Sequence, residues 1–344
     1  MKTMKTILLA LAAALAAASA AYAQQAVFDR LSPALFDVMP PSARVRGAPG
    51  TMTIQQTSCR SLPIEEVRRR IVDLAVQEWG FFGFAVVDQT RIETIDQGAP
   101  RTRRRWPRPS PEESARVADS IAGYWTVTPD GDWILNNQNG VWNGSRGVRA
   151  RWRYPWSAAF VSWVMCEGGL GDSSQFQRAV AHHIYIDQAI RARDDGAPLA
   201  AFTAYDIGEA PIVPGDLLCS GRRPAYRSIA ERRRQMGDGA RTHCDIVVKV
   251  DASRDRILAI GGNVRGSVGL KLMQAVREPD VGLRPEGGRR RLFAHLKLRA
   301  EPIEPDAFDT SPTMQAVVCA DRFRAPAQRA AANVVTSGTS AARC

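Results

Sequence analysis

Long apolar runs, zinc-type ligand spacings and internal repeats are all missing from this 344-residue chain. A helical membrane span needs about 20 consecutive apolar residues. Beyond residues 1–23 no stretch is that long and apolar, so no stable membrane span is expected once those residues are removed. The 6 cysteines and 4 histidines contain no Cys-x-x-Cys and no His-x-x-x-His pair. That removes the usual metal reading, and neither a metal nor a cofactor is expected. Acidic side chains are few: 35 Asp and Glu stand against 46 Lys and Arg, a formal charge of +11. The surplus is mostly arginine and favours anionic surfaces.

What is present starts at the N-terminus. Lys2 and Lys5 precede an apolar run from Ile7 to Ala18, and Ala21-Tyr22-Ala23 is a small-x-small cleavage site. Residues 1–23 read as a secretory signal peptide, giving a periplasmic or secreted chain that begins at Gln24. Removing those two lysines leaves a mature charge of +9. An exported basic protein fits cell-wall peptide or another anionic envelope polymer, and no nucleic-acid partner is expected. Cysteines in an exported chain are disulfide candidates. Cys219 and Cys244 fall on neighbouring predicted strands and form the expected pair; Cys59, Cys166, Cys319 and Cys344 cannot be paired from sequence.

Four segments follow from composition and periodicity: the signal peptide at 1–23, an N-terminal arm at 24–60, one domain at 61–300 and a flexible tail at 301–344. Ser61 is placed to cap a helix over 64–79, with an apolar stripe of Ile64, Val67, Ile71, Leu74 and Ala75. A basic, proline-rich loop covers 98–111, and helices are predicted over 112–124, 157–167 and 173–193. The second of these is apolar almost all round, which marks a buried, central helix. From residue 212 the period shortens. Strands are predicted over 213–219, 243–251, 256–261, 267–274 and 291–299. Helices followed by an antiparallel run give an α+β domain, with the buried helix packed on a C-terminal antiparallel sheet.

One order of residues carries the chemistry. Pro155-Trp156-Ser157-Ala158-Ala159-Phe160-Val161-Ser162-Trp163 opens the buried helix with a hydroxyl at its N-terminus. Val213-Pro214-Gly215-Asp216 leads into the first strand, His243 opens the next, and Gly261-Gly262-Asn263 ends the one after. Over about residues 120–275 this order resembles the CHAP family, the cysteine- and histidine-dependent amidohydrolases and peptidases of the NlpC-type, papain-like branch. The whole chain also looks like a family of secreted bacterial proteins whose domain has no assigned function and which carries Pro-Trp-Ser-Ala-Ala-Phe. The resemblance implies a papain-like core. It puts Ser157 where the nucleophilic cysteine stands, His243 on the general base and Asn263 on the residue that orients it.

The residues support that chemistry and also blander readings. A helix N-terminus concentrates unpaired N–H groups and about half a positive charge. Serine does not ionise there, so it needs a base within hydrogen-bond reach, and His243 is the candidate. Tyr154, Trp156, His182, Arg222 and Arg223 are placed as substrate-binding residues around the cleft, the arginines in a long loop, 220–242, suited to carboxylates. The expected activity is hydrolysis or acyl transfer on cell-wall peptide amides. Two alternatives stand beside it: a non-catalytic envelope protein that keeps the cleft for binding, and a serine esterase or acyltransferase acting on lipid or glycan. In the blander reading Ser157 is only a helix cap, His243 a packed histidine and Asn263 a turn residue.

Overall fold

The structure is a computed structural model that describes residues 28–90, 110–286 and 291–322. The expected signal peptide, nearly all of the proline-rich loop and the tail beyond 322 lie outside the described residues. No helix among the described residues is long and apolar enough to cross a membrane. Beyond a single turn at Pro33–Phe36, the α-helices among the described residues are α1 (Ile64–Phe81), α2 (Pro111–Trp125), α3 (Gly131–Trp142), α4 (Ser157–Glu167), α5 (His182–Asp195), α6 (Ile229–Arg233) and α7 (Pro312–Arg322). The strands of the main sheet are β1 (Ala85–Asp88), β2 (Phe202–Tyr205), β3 (Leu217–Arg223), β4 (Arg241–Asp251), β5 (Arg256–Val264), β6 (Ser267–Glu278), β7 (Gly282–Pro285) and β8 (Leu292–Leu298). Their order is β1-β6-β5-β4-β3-β8-β2, with β7 on β6. Only the β1–β6 pairing is parallel among these; the rest are antiparallel. The fold is α+β, as the period change in the sequence predicts.

Helix α4 is the centre of the molecule. All eleven of its residues are buried. Phe160, Val164 and their neighbours pack with α1 and α2 against one face of the sheet, where Cys244, Ile246, Val248, Leu258 and Ile260 point. The other face carries a smaller cluster that includes Leu218, Val247, Ile257, Ala259 and Met273. Side chains alternate between faces along a strand, so membership of these clusters fixes which face each neighbour occupies.

Buried ion pairs tie the helices to the sheet. On α1, Arg68 is fully buried and reaches the Asp216 carboxylate at 2.8 Å and the carbonyls of Pro214 (2.7 Å), Leu298 (2.6 Å) and Ala300 (3.0 Å). The Val-Pro-Gly-Asp motif exists for this contact. Asp216 also accepts from Val213 N–H, Leu298 N–H and His295 Nε2. Gly215 has φ +94, and a Cβ there would meet Arg68 Cγ at 2.7 Å, so only glycine fits.

Residues 28–60, set apart in the sequence as an arm, lie packed on the helices. Arg30 is ion-paired to Glu78 on α1, and Arg44 to Glu167 at the end of α4. A disulfide joins Cys59 to Cys166. The expected Cys219–Cys244 disulfide is also formed, across β3 and β4. The cap assigned to Ser61 is not made. The helix starts at Ile64 after Pro63, and the Ser61 hydroxyl bonds Gln175 at 3.1 Å.

Asp73 on α1 gives a stability prediction. Its Oδ1 is buried and has no hydrogen-bond partner among the described residues. Burial pushes its carboxyl up to about 7 against the pull of Arg69 and Arg70. A carboxyl raised in the folded state stabilises below its unfolded value and loses that contribution as pH rises through the folded value. Asp73→Asn should therefore be more stable than the parent at pH 8, by about 1–2 kcal/mol, and the gap should close by pH 4. Urea midpoints across that range measure it.

Candidate functional site

Ser157 is the first residue of α4, and Trp156 precedes it without any side-chain cap bond. The Ser157 hydroxyl lies instead 2.7 Å from His182 Nε2. The expected third helix starts nine residues later than its pattern suggests, because 172–181 forms turns in which Gln175 and Phe176 N–H bond the Asp172 carbonyl. His182 thereby becomes the first residue of α5, and two helix N-termini meet at the Ser157–His182 bond. Both side chains are nearly buried, at 8% and 4% exposure.

The surroundings of His182 fix its proton. The ladder between β4 and β5 ends at Ile246 opposite Ile260, and the Cys244 N–H beyond it points to His182 Nδ1 at 3.2 Å. A backbone N–H can only donate, so Nδ1 accepts and the ring proton sits on Nε2. The Tyr185 hydroxyl also lies against Nδ1. Burial, then the neighbouring His243, lowers the His182 pKa well below its ordinary value, and the ring is neutral at pH 7. His182 therefore donates its Nε2–H to the Ser157 oxygen.

His243 belongs to a second chain of hydrogen bonds. Alternation along β4 puts His243 and Asp245 on the face of Val247, opposite α4. His243 Nε2 lies 3.0 Å from Asp245 Oδ1, and Lys271 Nζ on β6 lies 2.6 Å from Asp245 Oδ2. Burial works against the Asp245 charge, but Lys271 and His243 outweigh it and hold the carboxyl well below the usual range. An ionised carboxylate only accepts, so the His243 Nε2 carries a proton. The two histidine rings meet edge to face, with centroids 5.1 Å apart. The glycine pair on β5 permits this approach from both sides. A Cβ on Gly261 would meet Asp245 Oδ1 at 2.0 Å, and one on Gly262 would meet Phe160 Cβ at 2.5 Å.

Among the residues singled out in the sequence, the structure bonds Ser157 to His182 and sets the His182 ring against His243. Asn263 lies on the strand next to His243, and a continued β4–β5 ladder would place the two opposite each other. The ladder stops short, and Asn263 adopts φ 54, in the left-handed region. The partner on His243 is Asp245, which the sequence reading missed. Its signal was there: two residues apart on a strand is the spacing that shares one face. Trp156 is 2% exposed and stacks on Tyr124 and Phe82, so it shapes the core and offers no surface to a ligand. Tyr154 is partly exposed and lies against Trp133. Arg222 and Arg223 are exposed at the end of β3. In the same loop Arg232 is fully buried and clamps Asp187 on α5 through two bonds of 2.6 Å. That arginine holds the helix bearing His182 rather than a ligand. No cluster of three or more His, Cys, Asp or Glu that could hold a metal occurs among the described residues.

No curated protein and no solved structure matches the chain. The profile of a family described as "Uncharacterized protein conserved in bacteria (DUF2272)" matches residues 112–289, which contain α4, both histidines, Asp245 and Lys271. That match covers more than half of the chain, and the protein belongs to this bacterial family.

Proposed function

We propose that the protein is an exported envelope enzyme with a papain-like, CHAP-related core, which hydrolyses or transfers acyl groups at amides of cell-wall peptide. Ser157 is the nucleophile. Its oxygen attacks the carbonyl carbon while its proton passes to His243 Nδ1, and His243 returns that proton to the leaving amine. Water then repeats the sequence on the acyl-serine and frees the serine. Asp245, held by Lys271, orients the His243 ring, the role the family resemblance assigned to Asn263. His182 fixes the serine oxygen through its Nε2–H. The observation that carries this reading is a serine at the N-terminus of the buried helix bonded to His182, whose ring in turn meets His243 edge to face. The N–H groups at that helix end are suited to a developing oxyanion.

A second reading, a cleft kept for binding alone, is favoured by one bond. The Ser157 oxygen already accepts from a neutral, buried histidine that has no free lone pair to take the serine proton. Cysteine labelling separates the two without knowledge of the substrate. No free cysteine occurs among the described residues. Ser157→Cys places a thiol at the helix end beside a basic histidine, which favours thiolate. If the site is catalytic, iodoacetamide at pH 7 should label it at least about tenfold faster than a free cysteine. His243→Ala in that background should remove the gain. Slow labelling that ignores His243 overturns the enzyme reading and leaves the binding protein.

A further inference from the structure

Several arginines on the described surface are ion-paired. Arg60 meets Asp37, Arg69 meets Glu304, Arg193 meets Glu209, Arg233 meets Asp194, Arg277 meets Asp255 and Arg284 meets Glu278. Others, Arg222, Arg223, Arg227 and Arg234 included, are exposed without an ion pair among the described residues, and one such group lies beside an exposed aromatic ring. Arg146, Arg149, Arg151 and Arg153 are all exposed, and among the described residues none of their guanidinium groups makes an ion pair. Composition explains why. No Asp or Glu occurs between Asp132 and Glu167, so the stretch supplies no counter-charge of its own; Glu112 at the start of α2 is near enough to Arg149 to feel its charge. At no more than about 3.6 Å per residue, the four arginines lie within roughly 25 Å of one another.

The same surface exposes a large aromatic ring. Trp133 on α3 is 57% exposed, unusual for a side chain that carries so much apolar area. It is held in place rather than loose. Its ring lies 5.3 Å from Tyr154, and the Arg153 guanidinium sits 5.8 Å from the Tyr154 ring. The strip carrying Tyr154 is itself pinned to α3. Arg153 N–H donates to the Gln138 side chain at 2.9 Å, and Trp152 packs edge to face on Trp142. Three residues after Tyr154 comes Ser157. A fixed aromatic face beside unpaired guanidinium groups thus borders the entrance to α4.

We propose that Trp133, Tyr154 and the arginines at 146, 149, 151 and 153 form a binding surface for an acidic polysaccharide, a chain of sugar rings bearing carboxylates. The C–H face of a sugar ring carries partial positive charge and suits the negative face of an indole. Guanidinium groups take carboxylates through two parallel hydrogen bonds. The isolated ring is too small an apolar area for docking a folded protein. Stacking beside positive charge also suits single-stranded nucleic acid, but the disulfides and the signal-peptide pattern point to an oxidising compartment outside the cytoplasm. The surface acts whether or not Ser157 turns substrate over.

Binding of polygalacturonate to the mature protein, followed by calorimetry at 150 mM salt, tests this, with neutral dextran and a thymidine oligonucleotide as comparison ligands. Polygalacturonate should bind and dextran should not. Trp133→Ala should weaken binding at least tenfold. Arg151→Gln with Arg153→Gln should do the same, and raising the salt should weaken the parent further. Arg277→Gln with Arg284→Gln, an equal charge change elsewhere, should leave binding unaltered. These arginines are exposed, so their variants keep the test valid even if Trp133→Ala misfolds. Three results overturn the proposal: no polygalacturonate binding, binding indifferent to both Trp133 and the arginine pair, or equally tight oligonucleotide binding through the same residues.

Discussion

Replacing Asp216 with alanine should cost about 3–5 kcal/mol of folding stability, the largest effect expected of any single change away from the cleft. Arg68 and Asp216 are both fully buried, so the alanine leaves a guanidinium in the core without its counter-charge. The loss goes beyond one ion pair, because Asp216 also receives Val213 N–H, Leu298 N–H and His295. Those donors would be buried and unsatisfied. Substituting both partners, Arg68→Met with Asp216→Leu, should recover part of the loss, since an apolar pair of similar volume needs no counter-charge. Guanidinium denaturation of the three proteins measures the coupling. If Asp216→Ala loses less than about 1 kcal/mol, the cluster is not what joins α1 to the sheet.

The contrast between Asp216 and Asp245 shows what the sequence could and could not convey. Val-Pro-Gly-Asp is recognisable as a motif, and its place before a strand is legible. Its purpose depends on Arg68, 148 residues away, and no local pattern announces that partner. The central helix was legible because its side chains are apolar around the whole circumference. The strands from β3 onward were legible through their period. β1 and β2 are only four residues each and take their pairing from strands far along the chain, so local pattern misses them. α3 was missed for a compositional reason. Its Gly131, Gly140 and three asparagines look like a loop, while Leu135, Gln138 and Trp142 bury it.

Within the site, the type and order of Ser157 and His243 could be read, and their bonding could not. Ser157 bonds His182 because β5 diverges after Ile260 and leaves the Cys244 N–H for His182 to accept. That divergence is a matter of register, and Gly261-Gly262 is its only trace in the sequence. Asp245 could have been found, since His243-x-Asp245 on a strand shares a face. Its link to Lys271 needed the β5–β6 pairing as well.

Acid should weaken the fold through His182, and the sign follows from its burial. The folded ring resists protonation, whereas in the unfolded chain it takes a proton near its ordinary value of 6.5. Between those two values the unfolded state binds more protons, so stability rises with pH and falls on acidification. Going from pH 7.5 to pH 5 should therefore destabilise the parent through this residue, with the loss setting in as pH falls through 6.5. Neighbouring groups bear on the same window. His183 is also lowered, by burial and then Arg232, and adds to the loss in the same direction. Asp73 acts oppositely, because its raised carboxyl gains stability as pH falls below about 7. Asp245 is held ionised and contributes only at lower pH. The prediction is therefore read as a difference between proteins. His182→Gln keeps a donor for Ser157 and an acceptor for the Cys244 N–H, but has no proton to gain. Its stability should fall less steeply between pH 7.5 and 5, and the two curves should converge toward acid. Protonating His182 also removes the lone pair that receives Cys244 N–H, so acid should open the α5–β4 contact before the domain unfolds. Hydrogen exchange at Cys244 should accelerate below pH 6 beyond that of Ile246 in the parent, and should not do so in His182→Gln. Equal slopes in the two proteins, with no selective exchange at Cys244, would show that the His182 proton is not what couples the serine to the sheet.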